Sequence, residues 1–276
     1  MRITFWGVRG SLATPGRETL GYGGDTSCVA IAGPDPEHLV VLDAGTGIRR
    51  LGVNIPSEVR HIDLFLSHLH LDHILGLGFF APLFRDRFNV TVWAPSSATP
   101  LLDRLGRYLS PPLFPVRLRD LSCELRLRDA PETPVACGAF TVTAASIIHP
   151  DMAVGYRVET EGRTVAYLPD HEPALSPSFP DMPRWTSGVG IAHAADLLIH
   201  DGQYSEDEYS THVGWGHSSV IHAVAFANLA AARSLMLFHH DPSHDDGDVE
   251  RLEHEAQQAF VGGQVEAARE GSTVTL

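Results

Sequence analysis

Eight residues, Leu66-Ser67-His68-Leu69-His70-Leu71-Asp72-His73, constrain this chain more than any other stretch. They place three imidazoles and one carboxylate within six positions. The run before them, Ile62-Asp63-Leu64-Phe65-Leu66, has the character of a buried strand. The run after them, Ile74 to Phe84, is apolar, and Gly76 and Gly78 make its start irregular. The cluster therefore belongs on a loop at the carboxyl end of a strand, where α/β proteins bind ligands. On a turning loop His68 and His70 can converge on one point while Asp72 and His73 turn toward a second. Imidazole nitrogen and carboxylate oxygen suit zinc, manganese or iron.

His68, His70, Asp72 and His73 match the H-x-H-x-D-H signature of the metallo-β-lactamase superfamily, which the chain resembles over nearly its whole length. The resemblance implies an α/β fold, a four-layer αβ/βα sandwich with the metals at one edge. A length of 276 residues fits one large sandwich, so residues 1–276 are expected to form a single domain. No apolar run reaches the length of a membrane span. Met1 to Gly7 reads straight into a strand rather than a signal peptide, and the three cysteines, Cys28, Cys123 and Cys137, lack metal-type spacing. A cytoplasmic protein with reduced thiols is the expectation.

The formal net charge of −14 argues against a broad nucleic-acid surface, which needs a basic stripe. It leaves room for a small anionic substrate, because bound divalent cations would dominate the local field. A homodimer is compatible with this reading, and membrane partners are not expected.

Five more strand ends carry chemistry. The run Phe140 to Ile148 ends at His149-Pro150, and the resemblance makes His149 the third histidine ligand. The strands Val154 to Glu159 and Thr164 to Leu168 form a hairpin around Glu161-Gly162 and end at Pro169-Asp170-His171-Glu172. Asp170 matches the family's bridging carboxylate, while His171 and Glu172 are candidates to support the ligands or face substrate. Leu235 to Phe238 ends at His239-His240-Asp241-Pro242. In the family the first histidine after the strand ligates, which selects His239 over His240. Leu197 to Ile199 is a short strand followed by His200-Asp201-Gly202. Asp43, after Leu39 to Leu42, could be a metal ligand, but is expected rather to orient the histidine loop by hydrogen bonds.

Several other segments carry expectations. Thr99 to Leu109 and Asp248 to Phe260 read as helices, and a helix apolar nearly all round begins at Val220 with Ser218 as its N-cap. Residues 205–210 read as a solvated acidic face, residues 173–194 as a surface loop, and 111–122 as a Pro-rich crossing whose Leu113, Phe114 and Val116 serve as core or as cover over the site. The glycine-rich opening, Gly7-Val8-Arg9-Gly10-Ser11 through Tyr22-Gly23-Gly24-Asp25-Thr26-Ser27, could cradle a phosphate. It resembles a superfamily branch with Asn at the position of Asp25, and the extra carboxylate weighs against a phosphate contact there.

Assembled through the resemblance, one cation takes His68, His70 and His149, the other takes Asp72, His73 and His239, and Asp170 bridges. Zinc is the default pair of metals, with manganese or iron fitting the same ligands. A bridging water would become the nucleophilic hydroxide. Gly216-His217-Ser218-Ser219 resembles a ribonuclease Z-like turn in which a histidine pairs with a strand-end carboxylate. This makes His217 the general acid and Asp201 its partner, and Asp72 counts among the catalytic residues as well as the ligands. Ribonuclease Z carries a tRNA-gripping arm between the third histidine and the bridging aspartate, and here 20 residues separate His149 from Asp170. With the acidic charge, this favours a small diester, and the opening and His239-His240-Asp241-Pro242 resemble bacterial proteins grouped with cyclic-nucleotide phosphodiesterases, so the expected function is a dinuclear phosphodiesterase acting on a cyclic nucleotide or other small phosphodiester. The alternatives are an RNA-end nuclease, a lactonase or other carboxyl-ester hydrolase on the same metals, and a non-enzymatic metal-binding sensor.

Overall fold

The structure, a computed structural model, describes residues 1–174, 179 and 186–276. Continuous apolar runs and alternating ones both build its sheets. The first sheet contains β1 (Arg2–Gly7), β2 (Cys28–Ala32), β3 (His38–Leu42), β4 (His61–Phe65), β5 (Asn89–Ala94) and β6 (Glu124–Asp129) in chain order. The second contains β7 (Val135–Cys137), β8 (Phe140–Ile147), β9 (Ala153–Thr160), β10 (Arg163–Leu168), β11 (Leu197–Asp201), β12 (Ser234–Phe238) and β13 (Gln264–Ala267). The last strand, β14 (Thr273–Thr275), returns to pair with β1.

Each sheet is half antiparallel and half parallel. Strands β3 to β6 run parallel in one, and β10 to β13 in the other. Parallel strands buried on both faces carry continuous apolar runs, as Leu39 to Leu42 and Leu197 to Ile199 do. Between the sheets lies a core that includes Phe5, Phe65, Tyr156, Tyr167 and Phe238. Outside the first sheet, a second core gathers α1 (Ile48–Val53), α2 (Leu71–Ile74) and α3 (Leu101–Gly106). Outside the second sheet, a third gathers α4 (Val189–Ala192), α6 (Val220–Leu229) and α7 (Asp246–Ala259). The layers are helix, sheet, sheet and helix, as expected.

Local chemistry explains where the elements differ from expectation. The β9–β10 hairpin turns at Glu161 (φ 51°) and Gly162 (φ 72°), and two left-handed residues make the turn that matches strand twist. Helix α3 starts after Pro100 and is shorter than the predicted 99–109 span. Helix α7 starts two residues earlier than predicted, because Asp245 and Asp248 form a capping box. Ser219, not Ser218, caps α6 by accepting from the His222 amide at 3.0 Å. Residues 205–210 are not merely a solvated face. Ser205 and Glu208 cap α5 (Glu206–His212), Tyr209 is buried, and Glu208 pairs with His244 at 2.8 Å. The predicted 173–194 loop lies partly outside the described residues, and its end forms α4. Phe114 packs edge-on to Phe79 in the helical layer, while Leu113 is exposed. The strands β7 and β13, short and weakly patterned, were not anticipated.

Candidate metal centre

Strand β4 ends at Phe65, and the chain then passes Ser67 and His68 before His70, whose extended backbone (φ −64°, ψ 153°) starts α2. That single helical turn sends Asp72 and His73 inward and leaves Leu71 in solvent. His149 follows β8, Asp170 follows β10, and His239 follows β12. Two groups of donors result. In His68, His70 and His149, one ring nitrogen from each lies within 4.8 Å of the others. Asp72, His73, Asp170 and His239 form a second group of the same tightness, all buried. Asp170 faces both, with Oδ1 3.0 Å from His73 Nε2 and 3.3 Å from His239 Nε2, and Oδ2 3.7 Å from His68 Nε2.

The hydrogen bonds behind the imidazoles test whether these residues fit a metal. His73 Nδ1 lies 2.8 Å from Asp43 Oδ2, His239 Nδ1 lies 2.9 Å from Gln203 Oε1, and His149 Nδ1 lies 3.2 Å from the Gly216 carbonyl. All three partners are acceptors, so in each neutral ring Nδ1 carries the proton and Nε2 the lone pair. Two such lone pairs, on His73 and His239, then face each other across 3.3 Å, where neither can donate to the other. His68 Nε2 and Asp170 Oδ1 are buried without a hydrogen-bond partner. Converging acceptors with no donor among them suit a cation.

Electrostatics points the same way. Burial works against ionising Asp170, but His239, His73 and His68 hold its carboxyl well below the ordinary range. Asp72 is likewise held low, against burial, chiefly by His73 and His239. Burial also opposes a charge on His73, yet Asp170, Asp72 and Asp43 raise its pKa well above the usual value. The pocket therefore calls for positive charge, as a proton or as a metal ion.

The support is extensive. Asp43 accepts from the Ser67 amide and hydroxyl, from His73 and from the Tyr167 hydroxyl, all at 2.7–2.8 Å. It orients the histidine loop, as expected, and Tyr167 was not foreseen. Gln203 also went unnoticed: besides holding His239, it donates to Asp241 Oδ2 at 3.0 Å. His239 has φ 63°, which turns it toward the donors. His240 points away, contacts the Ala268 carbonyl at 2.9 Å, and is pushed down to about 3 by burial.

The glycine-rich opening serves the centre as packing. A Cβ on Gly10 would sit 2.3 Å from His239 Nδ1, and the Ser11 amide donates to Asp72 Oδ2 at 2.8 Å. Asp25 accepts from the Thr46 hydroxyl, and its carbonyl accepts the Val8 and Arg9 amides. It braces the segment.

His217 donates from Nδ1 to Asp201 Oδ2 at 2.8 Å, and Asp201 also accepts from the amides of His171, Gln203 and Ser218. Burial would depress the His217 pKa, but Asp201 raises it to about 9. With Ser11, Leu69, His70, Leu71, Asp72 and Asp170, His217 lines a cleft of about 410 Å³. His171 is fully buried, and its Nδ1 lies 2.8 Å from His200 Nε2, so it does not face substrate. Glu172 is buried too, and accepts from the Tyr209 hydroxyl and from the amides of Gly214 and Gly216, fixing the turn that leads to His217.

Two mixed sheets meeting at a histidine and carboxylate centre define a metallohydrolase architecture. The β-lactamase superfamily domain matches residues 38–240, and the chain belongs to the metallo-β-lactamase superfamily. Among curated proteins it is similar to ribonuclease Z of Natronomonas pharaonis, 28% identical over 325 aligned positions, covering 100% of this chain and 98% of that protein. It is also similar to the probable metallo-hydrolase YhfI of Bacillus subtilis, 26% identical over 280 positions and 98% of each chain. The crystal structure of YhfI superposes with a TM-score of 0.72 at 20% identity, covering 99% of each chain. That of the short form of human tRNase Z gives 0.68 at 20% identity, covering 100% of this chain and 99% of that one. Among the described residues, no helix is long and apolar enough to cross a membrane.

Proposed function

We propose that this metallohydrolase is a phosphodiesterase, with His68, His70 and His149 holding one divalent cation, Asp72, His73 and His239 the other, and Asp170 shared. The observation that carries the reading is the placement of His217, held from behind by the buried Asp201, on the same cleft as Asp72, Asp170 and His70. When bound, the cations supply Lewis acidity to the phosphoryl oxygens and lower the pKa of a water toward neutrality. The chain does the rest. Asp201 holds the His217 imidazole in one orientation and favours its protonated form. His217 can then give its proton to the departing oxygen, a contribution of roughly 10²–10⁴ in rate for a poor leaving group. The Ser11 amide steadies Asp72. A lactonase would not need this acid.

Two substrate readings share this chemistry. The relatives named ribonuclease Z favour an RNA end, and they lean away from the small diester expected above. The compact build favours the small diester. The β9–β10 hairpin fills most of the interval between His149 and Asp170, and the ribonuclease Z alignment runs over 325 positions against 276 residues here, whereas that with YhfI needs only 280. Protein with its metal content measured should be given precursor tRNA, a short RNA oligonucleotide, a cyclic nucleotide and bis(p-nitrophenyl) phosphate side by side. Site-specific tRNA cleavage selects the RNA end, and turnover confined to the small compounds selects the other. Inactivity on all of them, with hydrolysis of a lactone, would reject the phosphodiesterase. Metal analysis of the same protein identifies the cation, with zinc the default.

A further inference from the structure

We propose that Trp215 is a specificity-determining residue, a stacking platform for a planar aromatic group, such as a nucleobase, on the leaving-group side of the scissile phosphodiester. The proposal rests on the phosphodiesterase reading and names the kind of substrate that reading leaves open.

Trp215 is 60% exposed. An indole left in water contributes little burial to the fold, yet its backbone is unusually well secured. Gly214 (φ 87°) and Gly216 (φ 91°) flank it, and the buried carboxylate of Glu172 accepts the amides of both. The Trp215 amide itself donates to the His212 carbonyl at 3.0 Å. Gly216 is pressed against the centre, since a Cβ there would lie 2.2 Å from His149 Nδ1. The indole is thus displayed from a fixed turn.

Its ring continues a ladder into the site. Trp215 meets His212 edge-on with centroids 4.6 Å apart, His212 stacks on Tyr204 at 4.8 Å, and Tyr204 meets His217 edge-on at 6.0 Å. His217 serves the departing oxygen, and both the ring ladder and the Gly216–His149 contact tie the Trp215 turn to that side of the centre. A rigid aromatic with two torsions loses little entropy on contact.

The cleft restricts what else can be recognised. Among the described residues its lining includes no arginine, and the chain contains no lysine. Apart from His217, a second phosphate would find no cationic side chain among the described lining residues. Leu69 and Leu71 on the lining offer apolar contact, and the exposed Trp215 is carried by the turn whose Gly216 carbonyl contacts His149 Nδ1 at 3.2 Å. A base stacked on an aromatic side chain is worth roughly 1–3 kcal/mol, about 5- to 150-fold in affinity.

The test uses two dinucleoside monophosphates that differ only in whether the leaving side carries adenine or is abasic. In the metal-loaded protein, the ratio of kcat/KM for the two should fall about ten-fold in Trp215→Ala and recover in Trp215→Phe, with the change in KM. An unchanged ratio, a loss confined to kcat, or no recovery with Phe would overturn the platform. A second readout is independent of turnover. The chain has four tryptophans, so the fluorescence difference between wild type and Trp215→Phe isolates one of them. Adenosine, but not ribose, should quench the wild type and lose most of that quench in Trp215→Phe. Equal quenching of both proteins, or none, rejects the platform. If no diester is hydrolysed but the quench behaves as stated, the phosphodiesterase reading fails while the aromatic subsite stands.

Discussion

The two donor groups of the centre are built differently. Asp72, His73, Asp170 and His239 are all under 9% exposed, and side chains from distant strands hold them: Asp43 and Tyr167 behind His73, Gln203 behind His239. In the other group only His68 is buried; His70 is exposed and His149 half-buried, and His149 leans on a loop carbonyl, that of Gly216. Pre-organised donors bind a cation without ordering cost, whereas donors on a solvent-facing loop must be ordered by it. The buried group should therefore hold its cation more tightly and more slowly, and the three-histidine group should be the exchangeable one.

The largest effect comes from the residue that both groups share. Asp170→Ala should remove at least one metal by elemental analysis and reduce turnover by about a thousand-fold or more, since several kcal/mol of charge stabilisation go with it. Full metal and full activity would show that the groups do not share Asp170. The choice between neighbouring histidines sharpens this: His239→Ala should lose the buried-group metal and His240→Ala should keep both, and the reverse would exchange their roles.

His217→Ala should keep both metals and lose about 10²–10⁴ in kcat on an alkyl or ribose diester, with a much smaller loss on bis(p-nitrophenyl) phosphate, whose leaving group needs no proton. Asp201→Asn should follow the same pattern more weakly. If His217→Ala loses metal instead, His217 belongs to the ligands, as its proximity to His239 and Asp201 would then explain.

A smaller and more selective effect is expected behind the ligands. Gln203→Leu removes the acceptor for His239 Nδ1, and should weaken the buried-group metal about 10- to 100-fold in calorimetric titration while leaving the three-histidine group alone. Equal weakening of both would mean that the two groups are one mechanical unit. The smallest perturbation is kinetic. Under a limiting chelator, the first metal to leave should come from His68, His70 and His149, detected as protection of the second by the time course of release. Loss from the buried group first would invert the comparison.

The H-x-H-x-D-H run was legible because its donors are adjacent in sequence, and a strand followed by one helical turn is enough to aim His68 and His70 apart from Asp72 and His73. The recurrence of His149, Asp170 and His239 just after apolar runs was legible for a related reason, since carboxyl ends of buried strands collect at one edge of the sheets. Tyr167, Gln203 and Ser11 gave no such signal. Each is a single polar residue in an ordinary local context, and its partner is 36 to 124 positions away. Their roles depend on strand neighbours: β11 lies parallel between β10 and β12, which brings Asp201 and Gln203 beside Asp170 and His239. The same holds for His239 against His240, where a left-handed backbone at the first residue turns one imidazole to the donors and the other to the Ala268 carbonyl. Local pattern determined which residues can bind a cation, and only the pairing of strands far apart in sequence decided which nitrogen and oxygen atoms face one another, because those hydrogen bonds form between segments that meet only when both sheets are complete.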